Sequence, residues 1–173
     1  MNVKFLNPFV DAAAEVLMAE AKVDIKKGTL TLQKSALTTD EVTVLINLVG
    51  QVQGVVLFGL SESLGMHLVS KMMGQSFTEF DNLAQSGVAE LGNVISGRAT
   101  VMLSSAGYQS TISPPTMIKG KGVQISTLDF PRIVVPLNCE FGDMVIHLAL
   151  RESQEGEWND NFVPLIKQAV NQK

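Results

Sequence analysis

Residues 86–107, SGVAELGNVISGRATVMLSSAG, decide how the rest of the chain is read. Their apolar spacing is helical, yet Gly87, Gly92 and Gly97 interrupt it, and each interior glycine costs roughly 0.5–1 kcal/mol against alanine. At about 100° per residue, Ala84, Val88, Leu91, Ile95, Ala99 and Met102 fall on one arc, the side expected to meet a sheet. Ser86, Glu90, Asn93, Gly97, Thr100 and Ser104 fall on the opposite arc. Glu90 and Asn93 are therefore neighbours, within about 60° and one turn of each other. Gly97 follows on the same stripe, where a missing side chain lets another surface approach closely. Gly87 and Gly92 lie off that stripe and suit either helix–helix or helix–sheet packing.

The flanking sequence gives this helix a span of about 81–106, with Gly107 as its stop. Upstream, Asn7-Pro8 is a helix start, an N-cap candidate followed by proline at the first helical position. That helix is expected from about residue 8 to 22. Residues 24–34 alternate and suit a short exposed strand, and EVTVLINLVGQVQGVVLFGL (41–60) reads as a hairpin turning near Gly50 to Gly54. Ser61 or Ser63 caps a helix through about Met73, which Gly74 ends. Downstream, STISPPTMIKGKG (110–122) reads as a loop, because its two prolines forbid helix. Strands follow near 123–128, 132–140 and 144–151, and a last short helix near 160–170.

The order is α-βββ-α followed by α-βββ-α, which suggests an internal duplication. VVLFGLSES (55–63) aligns with VIHLALRES (145–153), and DAAAEVLM (11–18) with SGVAELGN (86–93), placing Glu15 opposite Glu90. Consecutive strands joined by tight turns imply an antiparallel sheet with long helices packed on one face, an α+β fold. The 173 residues fit one domain, with residues 154–173 as an acidic connection and C-terminal helix.

Composition narrows the function classes. A net charge of −4 without a Lys/Arg cluster argues against nucleic acid, whose phosphates need a basic surface. No stretch approaches 18 uncharged apolar residues, so membrane insertion is not expected. The N-terminal run is broken by Asp11, Glu15 and Glu20, an amphipathic helix and not a signal peptide. The single cysteine, Cys139, excludes an internal disulfide framework and reads as a small buried hydrophobe; together these features suit the cytoplasm. His67 and His147 have no second ligand at metal spacing and read as solvated or hydrogen-bonded. Met66, Met72 and Met73 read as packing on an amphipathic helix. Phosphate-loop, dinucleotide and nucleophile-elbow motifs do not occur.

An exposed carboxylate and amide are ordinarily only solvated, but the wider spacing is specific. Ser86, Glu90, Asn93 and Pro115 form S-x3-E-x2-N-x21-P. This resembles the signature of the CheC/CheX/FliY chemotaxis phosphatases, in which the first position is Asp or Ser. The resemblance spans roughly residues 5–153 and includes the duplicated helix–sheet order. The first helix keeps Asp11 and Glu15 but has Met18 at the asparagine position and Asp40 at the proline position. One site per chain is therefore similar to the CheX branch, and a homodimer is implied by that likeness.

The resemblance implies a phosphatase acting on a phosphorylated CheY-like receiver domain of a response regulator. In that reading Asn93 orients the attacking water and Glu90 pairs with the receiver's active-site lysine. Ser86, Gly97 and Pro115 support the motif. No cofactor of its own is implied, since the receiver supplies Mg²⁺. The same residues also fit two alternatives: a non-catalytic receiver-binding or flagellar-switch module using the same helix, and an unrelated α+β protein whose Glu90 and Asn93 are merely solvated.

Overall fold

The structure, a computed structural model, describes residues 3–34, 37–125 and 131–154. A 3-10 turn (Val3–Phe5) leads into α1 (Leu6–Val16), and Leu17–Ala21 continue it as a π-helical turn. The helical path thus starts before Pro8 and changes winding at Leu17. Leu17 and Ala21 stay buried across that change, so apolar spacing alone does not reveal it. Lys22 ends the path in the left-handed conformation, at φ 57°.

Strands β1 (Lys26–Lys27), β2 (Thr31–Gln33) and β3 (Leu37–Thr38) are short. β4 (Val42–Gly50) and β5 (Val52–Leu60) make the expected hairpin. α2 (Glu62–Met73) starts at Ser61, whose Oγ accepts from the Leu64 N–H, and ends at Gly74 with φ 67°. α3 (Asn82–Ser105) follows, and then β6 (Ser110–Ile112), β7 (Thr116–Lys119), β8 (Gln124–Ile125), β9 (Arg132–Cys139) and β10 (Gly142–Glu152). The helix expected near 160–170 lies outside the described residues, as does the rest of the strand expected over 123–128.

The main sheet runs β1-β9-β10-β5-β4-β6, with β2 also on β9 and β7 also on β4. Every pairing is antiparallel. β3 and β8 form a separate pair. Each half therefore carries more strands than the expected three. The strand residues of the core, among them Val44, Ile46, Phe58, Val135 and Ile146, belong to one face of the sheet. Phe9, Ala13, Leu91 and Ile95 of α1 and α3 pack on that face, as the apolar arcs require.

The segment 110–122 departs from the expected loop. β6 and β7 both pair with β4, Leu48 facing Ile112 and Leu45 facing Thr116. Pro114 and Pro115 occupy the break between them, where a strand residue would need an N–H. Ser113 bridges the break by hydrogen bonds to Asn47: its N–H donates to the carbonyl, and its Oγ accepts from the N–H. Prolines correctly forbid helix here, but an edge strand tolerates them.

The central pairing supports the duplication. Leu57 and His147, equivalent in the alignment of 55–63 with 145–153, lie directly opposite each other where β5 meets β10. Val55 faces Ala149 and Val145 faces Gly59, so the flanking pairs exchange about that point. His147 is buried, contrary to the solvated alternative, and its Nδ1 has no hydrogen-bond partner among the described residues. His67 instead stacks on Phe141 with ring centroids 3.4 Å apart. Cys139 is half-buried, its Sγ 3.1 Å from the Gly142 carbonyl. Of the three methionines of α2, Met66 and Met72 pack against the core and Met73 is exposed.

Candidate active site on the long helix

α3 begins with Asp81, whose Oδ1 accepts from the Ala84 N–H at 2.8 Å. Such a cap contributes about 1 kcal/mol. Its buried face is Ala84, Val88, Leu91, Ile95 and Ala99 as expected, but it closes on Leu103. Met102 is only half-buried, because the last step along the ridge is four residues and not three.

The three glycines face three different neighbours. A Cβ on Gly87 would lie 2.6 and 2.9 Å from the Val69 methyls, so this glycine lets α2 pack against α3. On Gly92 it would lie 3.0 Å from Val44 Cγ1 and 3.4 Å from Phe58 Cδ2, so this one lets α3 sit close to the sheet. The two packing roles left open by the sequence are thus both present, one at each position. On Gly97 the nearest atom would be Ile112 Cδ1 at 4.0 Å, which leaves room beside the outer stripe.

Glu90 is exposed and Asn93 half-buried on that outer stripe. Asn93 Nδ2 donates to Glu90 Oε2 at 3.4 Å, a long and therefore weak contact. It orients the amide while leaving its carbonyl oxygen and second N–H available. Among the described residues no basic side chain pairs with Glu90. Ser86, one turn earlier, donates its hydroxyl to the Asn82 carbonyl at 2.9 Å and is engaged with its own helix. Pro115 lies in the break between β6 and β7, three residues past the Ile112 that faces Gly97. The structure therefore brings Glu90 and Asn93 into contact and sets Gly97 against β6.

The first, incomplete pattern is arranged differently. Asp11 and Met18 are exposed on the first helical path, and Glu15 accepts from Arg98 Nε of α3 at 2.7 Å. Asp40 lies far along the chain beside Gly59, and burial pushes its carboxyl up while the nearby Lys121 opposes this. Glu15 is thus committed to an ion pair, and Met18 offers no amide.

Four residues of α3 escape the sequence reading. Leu83, Val94 and Val101 are exposed apolar residues on the outer face. The seven-residue steps 83–90–97 and 94–101 are the signal that would have found them. Arg98 is the fourth, reached only through its pairing with α1. Among the described residues no group of three or more His, Cys, Asp or Glu is placed to hold a metal ion. No described helix is long and apolar enough to cross a membrane.

Comparison with known proteins agrees with this architecture. The chain is 24% identical over 128 residues to the CheY-P phosphatase CheX of Thermotoga maritima, covering 73% of this chain and 83% of that protein. A CheC-like superfamily protein from Shewanella sp. PV-4 superposes with a TM-score of 0.79 at 31% identity, over 87% of this chain and 99% of the other. The CheX of Borrelia burgdorferi, solved as a CheX-CheY-BeF3-Mg²⁺ complex, gives a TM-score of 0.72 at 26% identity, over 87% and 100% of the two chains. Residues 42–138 match the family model described as chemotaxis phosphatase CheX, and these residues hold the paired Glu90 and Asn93, Gly97 and the Pro115 break. The chain belongs to the CheX chemotaxis phosphatase family.

Proposed function

We propose that this protein hydrolyses the aspartyl phosphate of a CheY-type response-regulator receiver domain. The observation that carries the reading is the Glu90–Asn93 contact on the exposed face of α3, in a chain of the CheX family. The Thermotoga relative described as a CheY-P phosphatase and the Borrelia CheX solved with CheY, BeF3 and Mg²⁺ support it.

In this mechanism α3 enters the receiver's active site with Glu90 and Asn93 leading. The Asn93 amide, an acceptor and a donor at once, holds a water in line with the phosphorus. The water oxygen bonds to phosphorus as the bond to the aspartyl oxygen breaks, giving inorganic phosphate and a free carboxylate. The loose transition state needs positioning and charge stabilisation more than covalent help. Glu90, without a basic partner among the described residues, pairs with the receiver's lysine and aligns the helix. Mg²⁺ arrives with the receiver, so the protein supplies no metal. Pro115 shapes the strand break beside the helix, and Ser86 sits at the margin of the site. A cytoplasmic homodimer completes the reading, with an edge strand pairing across a two-fold as its simplest form.

The test is phosphate release from a phosphorylated receiver of the same organism. Asn93→Ala is expected to lower the rate about 100-fold while the fold is retained. An unchanged rate in a folded Asn93→Ala protein removes the mechanism. Binding of the receiver without any acceleration by the native chain replaces it with the non-catalytic module.

A further inference from the structure

The outer face of α3 carries more than the two polar residues. Leu83, Val94 and Val101 are 48%, 38% and 55% exposed, although their neighbours on the inner face are fully buried. With Glu90 and Gly97 they fall within about 60° of helical arc, forming one strip about 27 Å long. Singly exposed apolar residues are ordinary, but three aligned on the stripe of a candidate site are not scattered.

The charges of this face sharpen what the strip fits. Arg98, the only basic residue of α3, is neutralised by Glu15. Glu90, the only acidic one, has no basic partner among the described residues. The strip is therefore apolar with a single uncompensated negative charge near its middle. A partner complementary to it has an apolar rim around one cationic group. Gly97 adds a shallow step in which that rim can approach the helix backbone, since the nearest atom of the chain itself stands 4.0 Å from the missing Cβ.

We propose that Leu83, Val94 and Val101 form an apolar docking strip that selects the receiver domain by the rim around its phosphoaspartate site. This rests on the function proposed above and assigns recognition to residues outside the four-position signature. One helical strip is small for a stable complex and suits the brief encounter that a turning-over phosphatase needs. Recognition and hydrolysis are then divided along one helix, with apolar residues seizing the partner and Asn93 acting on the phosphate.

The division is tested with a CheY-type receiver of the same organism, phosphorylated by acetyl phosphate, and the full chain. Leu83→Asn and Val101→Asn are expected to raise KM at least five-fold each, with the loss carried by KM and not by kcat. Leu83→Ala and Val101→Ala serve if the asparagine variants do not fold, with a smaller rise of the same kind. Val123→Asn, an exposed apolar residue away from α3, is expected to leave both constants unchanged. An active native protein whose KM is unmoved by all four α3 substitutions overturns the docking strip and leaves the phosphatase reading intact. If the native protein binds the receiver without releasing phosphate, and the same substitutions weaken that binding, the strip stands and the phosphatase reading falls. If it neither binds nor hydrolyses, both are wrong.

Discussion

Arg98 donates to Glu15 across 2.7 Å, tying the glutamate of the incomplete first pattern to the helix that carries the complete one. The two side chains are 47% and 51% exposed, so the pair contributes less than about 1 kcal/mol. Glu15→Ala is expected to lower stability by about 0.2–1 kcal/mol in urea denaturation and to leave phosphate release unchanged. A loss of activity as deep as that of Asn93→Ala would instead make the first pattern catalytic.

Glu90→Gln separates charge from shape. The amide can still meet Asn93, but the pairing with a lysine loses its charge assistance. Kinetics with a phosphorylated receiver are expected to show kcat/KM lower by about 10-fold to 100-fold, the range of a charged hydrogen bond. Asn93→Ala should reduce kcat more than KM, so the two variants divide differently.

The glycines predict changes of opposite sign. Gly87→Ala forces a Cβ to within 2.6 Å of Val69 and should cost about 1–3 kcal/mol, read as a lower Tm. Gly97→Ala meets nothing closer than 4.0 Å and should stabilise the helix by about 0.5–1 kcal/mol. The same alanine stands on the strip that meets the receiver, so phosphate release should fall as Tm rises. If activity and Tm rise together, Gly97 has no part in docking.

His147 predicts an acid-side loss of stability. Burial, and then the nearby Arg132 charge, depress its pKa from 6.5 to about 4. Between those values the unfolded chain binds a proton that the folded chain does not. The contribution is therefore complete above pH 6.5 and falls as the pH drops towards 4, by about 3 kcal/mol at most. Urea titrations from pH 7 to 4 on the native chain and His147→Leu measure it as the difference between the two slopes. Equal slopes would mean that His147 takes up its proton in the folded state.

Local chemistry explains which parts could be read from the residues. Ser61 and Gly74 bracket α2 because a hydroxyl cap and a left-handed glycine act on their own neighbours. The α3 stripe followed from periodicity, and Glu90 with Asn93 from one turn of it. Features that depend on distant partners were not legible. β6 and β7 exist because β4 offers them an edge, and nothing in 110–122 announces that edge. The π turn at Leu17 leaves the burial pattern intact, so spacing could not detect it. Gly87 and Gly92 acquired separate reasons only once Val69 and Val44 stood opposite them.

The break at Pro114 and Pro115 also bears on what the protein avoids. A sheet margin with a continuous row of free N–H groups is a template for aggregation. Here the margin nearest α3 is split, two successive residues lack an N–H, and that of Ser113 is already given to Asn47. On this side of the sheet, next to α3, the margin is therefore a poor template for a further strand.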